Sequence, residues 1–206
     1  MKVLLINGSP HENGCVFTSL SEIAGELNKQ GIETQIFHIG TKAIRGCTAC
    51  FACAETGYCV FKDDPVNECV DLLAQADGLI IGSPVYYAAI NGSLSSFLDR
   101  MFFIKSHKYA FKPAAGIINC RRGGSTAAFD QLNKYFTISN MPVVSSQYWN
   151  MTHGTTPEEV KQDLEGLQTM RTLGRNMAWL LKCIDVAKDT VPLPEREEWQ
   201  RTNFIR

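Results

Sequence analysis

Val3-Leu4-Leu5-Ile6-Asn7-Gly8-Ser9-Pro10-His11-Glu12-Asn13-Gly14-Cys15 is the stretch that decides the fold. Its first four residues form an unbroken apolar run, the pattern of a strand buried on both faces of a parallel sheet. A polar loop from Asn7 to Gly14 ends the run. Val16, Leu20, Ile23, Ala24 and Leu27 then recur at helical spacing, with Gly31 placed as the stop. A strand, a glycine-bearing turn and a helix in that order make the first half of a βαβ unit.

The rest of the chain repeats this alternation. A second strand is predicted at 32–39, followed by a long connection over 40–63. Asp64-Pro65 then supplies a capping carboxylate and a proline at the first helical position. Further strands are predicted at 78–82, 114–120 and 142–148. The intervening helices are carried by Leu94, Phe97, Leu98, Met101 and Phe102, and by 128–136. Thr156-Pro157 opens the last and longest helix, with an apolar stripe that includes Val160, Leu164, Leu167, Met177, Leu180, Leu181 and Ile184. Five alternations with right-handed crossovers predict a doubly wound α/β fold with a five-stranded parallel sheet in the order 2-1-3-4-5. In that order a ligand crevice lies at the carboxyl edge, where the strand order reverses. We place one domain at 1–187, with a cysteine-rich insertion at 40–64. A tail at 188–206 contains Pro192, Pro194, Trp199 and Phe204 and has no clear periodicity.

Bulk properties narrow the function classes. A chain of 206 residues, 45% hydrophobic and 20% charged, suits one sizeable globular domain. A formal net charge of -1 lacks the basic excess of a dedicated nucleic-acid binder. No apolar run approaches the roughly 18 residues of a membrane span. The initial run, residues 3–6, is too short for a secretory signal, so the expected compartment is the cytoplasm and the eight cysteines are expected as reduced thiols or metal ligands.

Cys47, Cys50, Cys53 and Cys59 fall within thirteen residues, spaced C-x2-C-x2-C-x5-C. Thiolates are soft ligands that select zinc and iron–sulfur clusters. Tight C-x2-C-x2-C runs suit a [4Fe–4S] cubane, whereas structural zinc more often takes two separated knuckles. Free thiols and a disulfide are the other readings. The four histidines share no ligand spacing with this run. Cys15, Cys69, Cys120 and Cys183 read as small buried hydrophobes, with Cys15 at a helix N-terminus where its thiol pKa is expected to fall. Asp99-Arg100 reads as a structural or subunit-contact pair.

Three loops meet at the expected carboxyl edge. Gly8 to Cys15 joins a strand to a helix N-terminus, where backbone N–H groups and the helix dipole favour a phosphate, and Ser9 adds a hydroxyl. A plain strand–helix turn is the alternative. Neither a G-x-G-x-x-G nor a Walker sequence is present. Ser83-Pro84-Val85-Tyr86-Tyr87 offers an aromatic wall for a flat ring, unless those tyrosines simply fill the core. Cys120-Arg121-Arg122-Gly123-Gly124 offers backbone amides and two guanidiniums.

Asn7-Gly-Ser-Pro10, Ser83-Pro-Val-Tyr-Tyr87, Leu98-Asp-Arg100 and the cysteine run followed by Asp63-Asp64 resemble the iron–sulfur flavoproteins, of the NADPH-dependent FMN reductase-like branch of the flavodoxin-like superfamily. The resemblance implies FMN, its phosphate held by Ser9, His11, Asn13, Gly14, Cys15 and Val16. It places the ring against Pro84, Val85, Tyr86, Tyr87 and the loop of Cys120, Arg121, Gly123 and Gly124. It also implies a [4Fe–4S] cluster on Cys47, Cys50, Cys53 and Cys59. His11 stands where the family often has Arg, and Cys15-Val16 where it often has Asn-Thr, so phosphate contacts there fall more to the backbone.

The expected activity is an FMN-dependent oxidoreductase taking electrons from NAD(P)H or a ferredoxin and passing them to a small acceptor, such as a quinone, nitro- or azo-compound. An electron carrier between protein partners and a zinc-stabilised binding module are the alternatives. Because the cysteine connection leaves the edge strand, cluster and flavin are expected to meet across a subunit interface in a homodimer or homotetramer.

Overall fold

A computed structural model describes residues 1–198, 200 and 202, the side chains of Lys105 and Ser106 excepted. Trp199 and Phe204 of the tail lie outside the described residues. Strand β1 (Lys2–Asn7) leads into α1 (Cys15–Lys29) and β2 (Glu33–His38). The cysteine connection carries a short α2 (Ala52–Thr56) before α3 (Val66–Ala74). β3 (Gly78–Tyr86), the two-residue β4 (Ala89–Ile90) and α4 (Gly92–Lys105) follow. β5 (Ala114–Cys120), α5 (Ser125–Ile138) and β6 (Met151–His153) complete the sheet. α6 (Pro157–Gln162) and α7 (Leu164–Ala187) close the chain.

The sheet runs β2-β1-β3-β5-β6, all parallel, with β4 antiparallel to the end of β3. Apart from β4, that is the predicted order 2-1-3-4-5. The core is two layers. α1 and α7 cover one face through Val16, Leu20, Ile23, Met170, Leu173 and Met177, and α3, α4 and α5 cover the other through Val70, Leu73, Leu94, Phe97, Leu132 and Phe136.

Several boundaries differ from expectation. The fifth strand is Met151–His153 rather than 142–148, because only those three residues run in register with Ile118, Asn119 and Cys120. The 142–148 segment touches the sheet at one bridge, Val143 to Ala114. The last helix is two helices. Thr156 caps α6 by accepting the Glu159 amide, and Asp163 then leaves the helical path to accept the Gly166 amide and start α7. β3 extends through what reads as a loop. Tyr86 pairs with Ala89, and Tyr87 and Ala88, at φ 51° and 59°, form the two-residue turn between them. Positive φ at both central residues is what a type I′ hairpin requires.

Candidate functional site

Three loops at the carboxyl edges of β1, β3 and β5 form one rim. The Gly8 amide donates to the Gly82 carbonyl at 2.9 Å, joining the first loop to β3. A Cβ on Gly8 would collide with the Leu94 side chain and come within 2.9 Å of that carbonyl oxygen, so only glycine allows the approach. Gly124, at φ 84°, lies so near the hairpin that a Cβ there would stand 2.8 Å from the Ala88 Cα and 3.1 Å from Val85. The 120–124 loop therefore leans directly on the β3–β4 hairpin.

Within the first loop, buried Asn7 organises the backbone. Its Oδ1 accepts the Ser9 amide at 3.1 Å, and its Nδ2 donates to the Glu12 carbonyl at 2.9 Å. The Ser9 Oγ accepts the His11 amide, leaving its own hydrogen free to donate. His38 Nε2 lies 2.8 Å from the Ser9 carbonyl and fixes that peptide from the neighbouring strand. Beneath this turn, α1 begins at Gly14 with no side-chain cap and no acidic residue in its first turn. α5 likewise starts from Gly124 without a side-chain cap. Two helix N-termini thus reach the same rim with orphan N–H groups, the feature that binds anions.

The predicted residues divide by what they present. His11 and Asn13 are exposed, and Gly14 and Cys15 half-buried, around the open turn. Val16 is buried in the core, so only its amide is available to a ligand. Pro84 and Val85 are half-buried, whereas Tyr86 and Tyr87 are exposed, Tyr87 completely. Arg121 and Gly123 are exposed, Gly124 is half-buried, and the Cys120 side chain is buried, leaving its loop's backbone as the contact surface. The Cys15 expectation is corrected: burial pushes its thiol up, and the Glu159 and Glu158 carboxylates add to that, outweighing the helix terminus. Burial also raises the Cys120 thiol, against a hydrogen bond from Ser125. Of the cysteines read as buried hydrophobes, Cys69 and Cys120 are buried, Cys15 is half-buried and Cys183 is exposed.

The cysteine run forms a second site. Cys47, Cys50, Cys53 and Cys59 all line one pocket, walled by Phe51, Val60, Phe61, Phe103 and Ile104 and by Arg100. Positive φ at Ala49, Phe51 and Gly57 curls the loop around it. All eight cysteines are free thiols, so the disulfide reading is not met. Among the described residues, no three His, Cys, Asp or Glu groups stand in the arrangement of a single-ion site. One zinc at about 2.3 Å from each sulfur would draw the sulfurs to roughly 3.8 Å apart. A cubane gives each thiolate its own iron, so it suits four thiols that line one apolar pocket. The donor set and its surroundings fit that group. Burial pushes the Cys53 thiol up, and the neighbouring Cys47, Cys50 and Cys59 add to it.

Arg100 holds this loop in place, and Asp99 is not its partner. The guanidinium pairs with Asp64, both side chains being 1% exposed. It donates from Nε to Cys59 Sγ at 3.2 Å, and from its other nitrogens to the Arg45 and Phe61 carbonyls. Asp99 instead accepts the Tyr135 hydroxyl. Asn67 adds a second tether, accepting the Cys59 amide at 2.8 Å and donating to the Cys59 carbonyl. The cysteine pocket therefore rests on α4, the helix that leaves the β3–β4 hairpin. Asn7, His38 and Asn67 were not read as site residues from sequence. A buried-strand asparagine directly before Gly-Ser-Pro was the one available signal for Asn7.

A doubly wound parallel sheet in this order, with its open rim at the switch point, is a flavodoxin-like fold. The chain belongs to the NADPH-dependent FMN reductase family, whose model matches residues 1–156. It is 32% identical over 194 residues to an iron–sulfur flavoprotein of Methanocaldococcus jannaschii, covering 89% of this chain and 99% of that one. It is 30% identical over 204 residues to an iron–sulfur flavoprotein of Archaeoglobus fulgidus, covering 95% of this chain and 100% of that one. RosB, solved with a bound 8-demethyl-8-formylriboflavin-5′-phosphate intermediate, superposes with a TM-score of 0.72 at 12% identity, over 100% of this chain and 96% of its own. At that identity the match speaks for the fold. No helix among the described residues is long and apolar enough to cross a membrane.

Proposed function

We propose that this chain is an FMN-dependent oxidoreductase that accepts electrons from NAD(P)H or a ferredoxin and reduces a small acceptor, such as a quinone, nitro- or azo-compound. The observation that carries this reading is the rim itself. Three loops are locked together there by Gly8–Gly82 and Gly124–Ala88 contacts, over two uncapped helix N-termini and beside two solvent-facing tyrosines.

When bound, FMN would supply the exchange of electron pairs for single electrons, and a [4Fe–4S] cluster would relay single electrons. The chain's own residues supply position. Amides from Ser9 to Val16, with the Ser9 hydroxyl, would hold the phosphate. Pro84, Val85, Tyr86 and Tyr87, with the backbone of 121–124, would shelve the ring and exclude water from one side of it. Cys47, Cys50, Cys53 and Cys59 would hold the cluster against Phe51, Phe61 and Phe103. In a homodimer or homotetramer, a second copy would bring its cysteine pocket to the ring held by the first.

Mixing anaerobic, flavin-loaded protein with NADPH or NADH tests the reading: rapid bleaching of the flavin by either nucleotide is expected. Protein that binds no FMN sinks it. A carrier between protein partners is the second reading, favoured by the exposed Phe51 ring packed on exposed Phe103 beside Cys47 and Cys50. Flavin that is reduced by a ferredoxin and by neither nucleotide, in a protein that turns over no quinone, nitro- or azo-compound, would select it.

A further inference from the structure

Arg100 is among the largest fully buried side chains of the protein, and burying a guanidinium demands compensation. All of the polar partners found for it lie in the cysteine connection: Arg45, Cys59, Phe61 and Asp64. The Phe61 ring also sits 5.3 Å from its guanidinium carbon. Asp64 and the two carbonyls are enough to latch the connection to α4. They do not require the Nε–H to face a sulfur, yet it points at Cys59 Sγ across 3.2 Å. Cys47 receives a weaker bond, from the Ala49 amide at 3.5 Å. Cys59 thus differs from the other three thiols in facing a buried cationic donor.

We propose that Arg100 is a positioning residue that orients the Cys59 sulfur and, through its Nε–H bond, raises the reduction potential of the iron–sulfur cluster held by the four thiols. The inference rests on the reading of the cysteine pocket as a cluster site. Reduction adds one electron, supplied by reduced flavin, and makes or breaks no bond. The added negative charge falls on iron and sulfur together. A donor already aimed at a ligand sulfur therefore stabilises the reduced state more than the oxidised one, and hydrogen bonds to sulfur are one of the levers that set cluster potentials.

The test compares the wild type with the double variant Arg100→Met/Asp64→Asn, both reconstituted anaerobically and analysed for iron and sulfide before redox titration. The double variant removes a cation and an anion together, so the local net charge is unchanged and the bond to Cys59 is what is lost. Equal cluster content with the reduction equilibrium shifted about tenfold toward the oxidised form, about 59 mV more negative for one electron, is the expected result. Equal content with a shift below about threefold, about 28 mV, overturns the proposal.

If the double variant does not fold or takes up no cluster, the decision passes to wild-type protein labelled with 15N-arginine. Pulsed EPR of its reduced cluster is expected to show a 15N coupling that persists in Arg45→Lys, and a spectrum without one overturns the proposal. Wild-type protein that takes up no iron and sulfide refutes the cluster reading itself, an outcome separable from either of the others.

Discussion

The Gly8 amide and the Gly82 carbonyl meet at 2.9 Å, so the turn after β1 is bolted to the strand beside it at the point where the sheet order reverses. Anything that prises the two apart opens the turn after β1. Gly8→Ala places a methyl group against Leu94 and the Gly82 oxygen. Overpacking of this kind costs about 1–3 kcal/mol. We expect a stability loss in that range by urea unfolding and an FMN affinity at least tenfold weaker by fluorescence titration. Unchanged affinity would detach the turn from flavin binding.

The exposed tyrosines separate a ligand wall from a core element. Tyr87 is fully exposed at φ 51°, a backbone that asparagine adopts more readily. Tyr86→Ala/Tyr87→Asn should leave stability within about 0.5 kcal/mol of the parent, as at other surface positions. Loss of ring stacking worth about 0.5–1.5 kcal/mol should weaken FMN about three- to tenfold. Large destabilisation with intact flavin affinity would reverse the assignment.

Removing the carboxylate of Asp64 strands the Arg100 charge in a site where both side chains are 1% exposed. Breaking a buried pair by deleting one partner costs about 3–5 kcal/mol. Asp64→Ala is expected to fall in that range and to release the cysteine connection, seen as faster proteolysis between 40 and 64. The exposed Arg45–Asp63 pair next to it supplies the control. Asp63→Ala should cost about 1 kcal/mol or less.

Burial raises the thiols of Cys15, Cys69 and Cys120 and the hydroxyls of Tyr109 and Tyr135. Each group is held protonated more firmly in the fold than in the unfolded chain. The stability so gained is complete below the unfolded thiol value of about 8.5 and is lost as pH rises toward the folded values. Urea midpoints of the apoprotein should therefore be level from neutral pH to about 8.5 and decline beyond it. Midpoints that climb through that window would contradict the burial argument.

What the chain discloses in its order of residues follows from where the pairing energy lies. β1, β3 and β5 are flanked on both faces by helices, so their apolar runs announce them. β6 is only Met151-Thr152-His153, an edge segment defined by its ladder to β5, and the more apolar 142–148 run nearby reads as a better strand than it is. The break at Asp163 is hidden because Val160, Leu164 and Leu167 keep a helical stripe across it, and only the carboxylate's turn toward Gly166 reveals the stop. Cys183 looks like a core residue by type, but its position on α7 faces it outward.

The rim was legible for a different reason. Gly, Ser, Pro and Tyr gather after strands whose carboxyl ends must lie together in this topology, so connectivity brings them to one edge. The cysteine spacing was equally plain. Its supports were not, because Arg100 reaches Cys59 and Asp64 across 41 and 36 residues of chain, and no local pattern encodes such a bond. Asn7 and His38 are similar: each secures the turn after β1 from within a strand, where a polar side chain has no periodic signature.

The most direct test of the account is an anaerobic analysis of flavin, iron and acid-labile sulfide per chain in the reconstituted protein. The account predicts about one FMN, four iron and four sulfide per chain, the complement of one flavin rim and one cubane pocket. A protein that retains no FMN, and takes up none when titrated with it, would contradict the central claim that this rim is a flavin site.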